Sequence, residues 1–198
     1  MKALIVVDMQ NDFIYGSLAN PAAQAIVDNV AREIEYFDGN VILTKDMHYE
    51  NYLSTQEGKK LPIEHCKFKT RGWFIPKILA EAGIRHDNCG RGYTKVLHKE
   101  TFGFTKWDQY LSTNYDEIYI CGTCTDICVI SNALIIKAMY PEMKITVLKD
   151  LCAGSTPEKH EAALEVMRSC QIDIADQKLS SELTSVTAKP DPSVTLRG

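Results

Sequence analysis

Short apolar runs alternate with longer segments of helical periodicity along the chain. The apolar runs occupy residues 3–7, 40–45, 94–98, 117–122, 144–150 and 172–176. Several of these runs are apolar at nearly every position, which is typical of strands buried on both faces of a parallel sheet. The helical segments occupy residues 21–37, 74–83, 125–140 and 156–170. This order predicts an α/β fold with three layers: a doubly wound, mostly parallel sheet of about six strands with helices on both faces.

The pattern also divides the chain into a domain and a tail. Residues 1–176 form one predicted domain, as expected for a chain of 198 residues. Residues 177–198 contain two prolines and many hydroxyl side chains, and we predict a C-terminal tail or arm there. Within the domain, the polar segment 46–72 predicts a long loop after the second strand, and long loops often carry functional residues.

Charge and cysteine content narrow the function classes. The net charge is −4, which argues against nucleic acid and anionic membranes as partners. The first apolar run is about five residues long, too short for a signal segment or a membrane span. We therefore expect a cytoplasmic protein. Seven cysteines are scattered through the chain, an odd number that indicates reduced thiols rather than a disulfide framework.

The stretch "YICGTCTDICV" contains Cys121, Cys124 and Cys128. One interpretation is a redox site formed by Cys121 and Cys124, and another is part of a metal cluster. A third is that the cysteines are buried apolar side chains. The sequence favours a fourth interpretation for Cys128: with Thr125 as the N-cap, it lies in the first turn of a helix, where the helix dipole lowers a thiol pKa and yields a nucleophile.

Two charged residues end neighbouring apolar runs. Asp8 follows the first strand, and Lys99 follows the third. In a parallel sheet the carboxyl ends of the strands lie at one edge, where Asp8, Lys99 and Cys128 then come together. An acid, an ammonium group and a thiol in one place are suited to nucleophilic catalysis with acid/base assistance.

The motifs "LIVVDMQNDF" and "GTCTDICV", together with Lys99, resemble the cysteine hydrolases of the isochorismatase-like superfamily, which include nicotinamidases. The resemblance implies that Cys128 is the nucleophile, Asp8 the general base and acid, and Lys99 the group that keeps both charged. It also implies a cis peptide between Thr123 and Cys124. The backbone N–H groups of Cys124 and Cys128 then form an oxyanion hole.

The loop after the second strand supplies candidate metal ligands. Asp46, His48 and His65 are residue types that bind divalent cations. In the nicotinamidase branch they resemble ligands of zinc, iron or manganese, with zinc expected here. Tyr52 occupies a position where many members have a second histidine, and Glu57 resembles the alternative fourth ligand of some nicotinamidases. No organic cofactor is expected.

The resemblance implies a small amide as substrate, most simply nicotinamide, and a homo-oligomeric enzyme. Phe13 resembles the residue that stacks on the substrate ring, and Phe102 and Phe104 are further candidates to line the pocket. A carbamoyl, ureido or isochorismate-type substrate is the alternative within the superfamily. A thiol redox or regulatory protein using Cys121 and Cys124 is the alternative from another class.

Overall fold

The computed structural model describes residues 1–112 and 114–176, so the predicted tail, residues 177–198, lies outside the described residues. The strands are β1 (Lys2–Val7), β2 (Asn40–Asp46), β3 (Thr94–Lys99), β4 (Glu117–Thr123), β5 (Lys144–Ala153) and β6 (Asp173–Ala175). The α-helices are α1 (Asn11–Ile14), α2 (Pro21–Tyr36), α3 (Gln56–Lys60), α4 (Lys77–Asn88), α5 (Ile130–Met139) and α6 (Pro157–Ser169). The shorter helical pieces are two 3₁₀ turns (Tyr52–Ser54 and Trp107–Gln109) and a π-helical turn (Thr125–Val129).

The six strands form one sheet in the order β3-β2-β1-β4-β5-β6. Every pairing between neighbours is parallel, so the predicted α/β fold is confirmed and its sheet is wholly rather than mostly parallel. The chain winds outward in one direction from β1 and in the other from β4. Ligand sites in such folds lie beyond the carboxyl ends of the strands where this direction reverses, here between β1 and β4.

The core explains why the central strands are apolar at successive positions. Residues 3–7 of β1 are fully buried, and β2 is buried along its whole length. A strand buried at successive positions must be covered on both faces, since its side chains alternate between them. The helices supply this cover. Among the described residues, no helix has the length and apolar content needed to cross a membrane.

The structure differs from the sequence-based prediction in the bounds of one helix, the end of one strand and one capping residue. Helix α4 begins at Lys77 rather than residue 74, because Pro76 occupies its N-cap position. Strand β5 continues to Ala153 through a buried segment that includes Cys152. The predicted N-cap role of Thr125 is wrong: Thr125 is buried inside the π-helical turn, with its hydroxyl oxygen 2.8 Å from His160 Nδ1.

Gly122 allows β4 to pass close to β1 immediately before the turn that carries the cysteines. Its φ is +118°, in the region that favours glycine. A Cβ at this position would overlap the carbonyl oxygen of Val7 on β1. The paired strand ends can therefore approach closely only with glycine at this position.

We expect Gly122→Ala to lower the free energy of unfolding by at least about 3 kcal/mol. The backbone strain of alanine at this φ and the overlap of its Cβ with the Val7 carbonyl oxygen both contribute to the loss. Gly90→Ala is the matched control. Gly90 also has a positive φ, +68°, but no described atom lies within 4 Å of its added Cβ. This control should cost only about 1 kcal/mol. Equal losses for the two variants in urea unfolding would contradict the close-approach explanation.

Candidate active site

Asp8, Lys99 and Cys128 meet at the carboxyl edge of the sheet, as predicted. Asp8 follows β1, Lys99 is the last residue of β3, and Cys128 lies in the π-helical turn after β4. Lys99 Nζ lies 2.6 Å from Asp8 Oδ2 and 3.6 Å from Cys128 Sγ. All three residues are at most 6% exposed. Lys99 therefore bridges a carboxylate and a thiol that are both shielded from water.

Burial dominates the electrostatics of this group. It raises the pKa of Asp8, and the adjacent Lys99 ammonium opposes that rise. Burial alone would lower the pKa of Lys99, but the negative charges of Asp8, Cys128 and Asp46 together outweigh it, so the pKa rises and Lys99 stays charged. Burial and the nearby Asp8 carboxylate also raise the pKa of the Cys128 thiol well above its usual value, against the weaker effect of Lys99.

The expected lowering of the Cys128 pKa is therefore wrong, because burial beside a carboxylate raises it. The sequence indicates a helical turn around Cys128, but it does not reveal how deeply the thiol is buried beside a carboxylate. A protonated thiol next to a carboxylate of raised pKa can still become a nucleophile by giving its proton to that carboxylate.

The neighbouring cysteines have different environments. The peptide bond between Thr123 and Cys124 is cis, in agreement with the resemblance. Cys124 is half-buried and lines the same pocket as Cys128. Cys121, in contrast, is fully buried in β4, and burial raises its pKa well above the usual value. In a C-x-x-C redox site the first cysteine is the accessible attacking thiol, and the fully buried Cys121 cannot take that role.

A second cluster lies beside the triad. Asp46 ends β2, and single ligand atoms of Asp46, His48 and His65 all lie within 4.8 Å of one another. Asp46 Oδ2 is 2.8 Å from His48 Nε2 and 3.6 Å from His65 Nε2. Glu57 Oε1 lies 3.6 Å and 3.7 Å from the same two nitrogens. The four residues predicted from sequence as metal ligands thus come together.

The donor atoms fit a divalent metal. His48 Nε2 is buried and has no hydrogen-bond partner among the described residues, although a carboxylate oxygen is 2.8 Å away. His65 Nδ1 lies 2.9 Å from the carbonyl oxygen of Ile63, so this nitrogen carries the hydrogen and Nε2 has a free lone pair. Two imidazole nitrogens and carboxylate oxygens converging in a buried place form a candidate site for a divalent cation.

Tyr52 packs against this cluster instead of adding a ligand. Its ring centroid is 4.6 Å from that of His48 and 5.1 Å from that of His65. Its hydroxyl donates to the carbonyl oxygen of Leu61 at 2.9 Å. The Tyr52 ring therefore packs against both histidine rings, and its hydroxyl fixes the start of the loop that follows α3.

Gln10 is a supporting residue that the sequence did not identify. Its side chain is fully buried, accepts from the Asp46 backbone N–H at 2.7 Å and donates to the Asp46 carbonyl at 2.9 Å. Nε2 also donates to the carbonyl of Trp73 at 2.9 Å. One side chain thus fixes the backbone of a candidate ligand. In the sequence, this role is indicated only by the position of Gln10, an amide residue two positions after the strand-end Asp8.

Asn132 is a second supporting residue that the sequence did not identify. It is fully buried on α5, and its Nδ2 donates to the carbonyl of Cys128 at 2.7 Å. Its Oδ1 accepts from the Phe104 backbone N–H at 2.8 Å and from Trp107 Nε1 at 3.1 Å. Asn132 therefore ties the turn of the nucleophile to the segment after β3.

A pocket of about 360 Å³ opens onto both clusters. Phe13 and Phe102 line it, as predicted. The prediction for Phe104 is wrong: Phe104 is 7% exposed and packs in the core, 5.0 Å from Trp107 between ring centroids. Phe102, two residues earlier, is 48% exposed. The complete lining is Phe13, Leu18, Ala19, Asn20, Pro21, Asp46, Glu57, Leu61, His65, Phe102, Cys124, Ile127, Cys128 and Ser155.

The fold and the site together define a cysteine hydrolase of the doubly wound α/β class. The chain belongs to the isochorismatase family, because the family's isochorismatase domain matches residues 2–178. A nicotinamidase/pyrazinamidase of Mycobacterium tuberculosis is 30% identical over 88% of this chain and 98% of its own length. A nicotinamidase of Saccharomyces cerevisiae is 29% identical over 89% of this chain and all of its own length. The structure of a Pyrococcus horikoshii pyrazinamidase in complex with zinc has a TM-score of 0.72 and 31% identity, covering 89% and 99% of the two chains.

The raised pKa of Cys128 predicts how the thiol reacts. Iodoacetamide near pH 7 should label the exposed Cys89 and Cys170 before Cys128. Since the thiolate reacts and its fraction grows with pH below the pKa, labelling of Cys128 should accelerate roughly tenfold per pH unit from pH 7 to 9. Peptide mass spectrometry at several pH values measures both rates. A Cys128 labelling rate that is fast and constant over this range would show a low-pKa thiolate and contradict the burial argument.

Proposed function

We propose that this chain hydrolyses nicotinamide to nicotinate and ammonia through a thioester on Cys128. The observation that carries the proposal is the position of Lys99 Nζ, 2.6 Å from Asp8, 3.6 Å from Cys128 Sγ and 3.5 Å from Asp46 Oδ1. The Lys99 ammonium group is thus adjacent to the proposed acid/base, the proposed nucleophile and the candidate metal cluster. Similarity to the nicotinamidases of two organisms supports the choice of amide.

The proposed reaction begins with a proton transfer from the Cys128 thiol to Asp8. The resulting thiolate attacks the amide carbonyl, and the backbone N–H groups of Cys124 and Cys128 stabilise the negative charge on oxygen. Asp8 then gives the proton to the leaving nitrogen, and ammonia departs. Lys99 remains protonated throughout and offsets the charge of the thiolate and of Asp8.

Hydrolysis of the thioester uses the same groups in a second cycle. Asp8 takes a proton from water, the hydroxide attacks the thioester carbonyl, and the proton returns to the Cys128 sulfur as nicotinate is released. One water is consumed for each amide cleaved. A carboxylate of raised pKa is a stronger base for both transfers, which is the functional use of burying Asp8.

Asp46, His48, His65 and Glu57 are the residues that would hold a divalent metal, for which we propose zinc. When bound, the metal supplies a Lewis acid to the pyridine nitrogen of the substrate. Support for zinc comes from the Pyrococcus horikoshii pyrazinamidase, whose structure is a complex with zinc. Phe13 packs 5.6 Å from His65 between ring centroids, a suitable position for contacting a flat substrate ring. A cytoplasmic location and a homo-oligomeric state remain part of the proposal.

Substrate selectivity tests the proposal. The wild-type chain with zinc should release ammonia from nicotinamide much faster than from benzamide, which lacks the ring nitrogen. His48→Ala should lose bound zinc in elemental analysis and should reduce this preference. Because His48 is outside the triad, slow turnover of both amides should persist.

Exposed His98 offers a matched control. His98→Ala removes a histidine from β3 and should keep both the metal and the preference for nicotinamide. Equal rates on nicotinamide and benzamide in the metal-loaded wild type would contradict the proposed role of the ring nitrogen. Absence of ammonia from either amide would contradict the proposed function.

A further inference from the structure

The Asp8 carboxylate has a second partner besides Lys99. Thr44, on β2, is 1% exposed, and its Oγ1 lies 2.7 Å from Asp8 Oδ1. The Asp8 backbone N–H lies 3.2 Å from both Thr44 Oγ1 and the Thr44 carbonyl oxygen. Thr44 therefore contacts Asp8 through its side chain and its main chain.

The direction of the hydroxyl hydrogen follows from these contacts. A threonine hydroxyl has one hydrogen to donate and accepts with its lone pairs. Here the Asp8 N–H points to a lone pair of Oγ1, so the hydroxyl hydrogen is free to point to Oδ1. The burial of Thr44 leaves little room for water to take over this donor.

Asp8 is held at both carboxylate oxygens and has an unusual backbone conformation. Asp8 has φ +49°, a left-handed conformation that is uncommon for a residue other than glycine. Lys99 holds only Oδ2, so a carboxylate held at that oxygen alone could rotate about its side-chain bonds. With Thr44 on Oδ1 and Lys99 on Oδ2, both oxygens have a fixed position relative to Cys128.

We infer that Thr44 is a positioning residue, which orients Asp8 for the two proton transfers with the Cys128 sulfur and the leaving nitrogen. The inference rests on the proposed amide hydrolysis. Thr44 is not among the residues that line the pocket. Its removal should therefore change the rate of the chemical steps and leave substrate binding unaffected.

Thr44→Val tests this inference, since valine matches the shape of threonine and lacks the hydroxyl. We expect kcat for nicotinamide to fall roughly 10- to 100-fold, the effect of losing one hydrogen bond to a charged group. KM and the zinc content should stay at wild-type values. Thr44→Ser should recover most of the lost kcat, because serine retains the donor. Thr146→Val, which removes another buried strand hydroxyl on β5, should leave kcat unchanged.

The outcomes separate this inference from the function on which it rests. A wild-type chain that releases no ammonia from nicotinamide overturns both. An active wild type with unchanged kcat in Thr44→Val overturns the inference alone, as does a loss that appears in KM or in zinc content. If Thr44→Val does not fold, Thr44→Ser and Thr44→Ala provide the comparison: the serine variant should be roughly tenfold faster or more, and equal kcat values overturn the inference.

Discussion

The buried ion pair between Asp8 and Lys99 is the contact on which the site depends. Moving two charges out of water costs several kcal/mol per ion, and the cost is offset only where geometry and further hydrogen bonds are good. Here Lys99 lies 2.6 Å from Asp8, and Thr44 donates to the second carboxylate oxygen. The pair also sets the environment of Cys128: after burial, the Asp8 carboxylate is the next largest cause that raises the pKa of the thiol, and Lys99 opposes it.

The sheet places this pair without any contribution from a flexible loop. Asp8 follows β1 and Lys99 ends β3, and only β2 lies between these two strands. The parallel register of β2 and β3 aligns Asp46 with Lys99. The third member, Cys128, enters from the opposite side of β1, where the direction of winding reverses. The triad thus spans the switch point of the fold, and the candidate metal cluster begins at the strand end between Asp8 and Lys99. Fixed strand ends provide the preorganisation that such chemistry requires.

Much of the fold and the site follows from the sequence because periodicity and strand ends are local properties. The alternating strands and helices predict the sheet, and the strand-end positions of Asp8, Lys99 and Asp46 predict their convergence. The thiol pKa could not be predicted, since it depends on burial contributed by distant segments. The spacing after Lys99 does not show that the Phe104 ring packs against Trp107 in the core while Phe102 lines the pocket. Gln10, Thr44 and Asn132 were missed for the same reason: a buried amide or hydroxyl is recognised only by its partners.

The central claim is that Cys128 carries the acyl group of the substrate. Acid quenching during early turnover with nicotinamide, followed by peptide mass spectrometry, measures where that group is attached. A nicotinoyl adduct is expected on the peptide that contains Cys128, and the same adduct is expected in Cys124→Ala. A nicotinoyl group found on Cys124, or turnover that persists after Cys128→Ala, would contradict the claim.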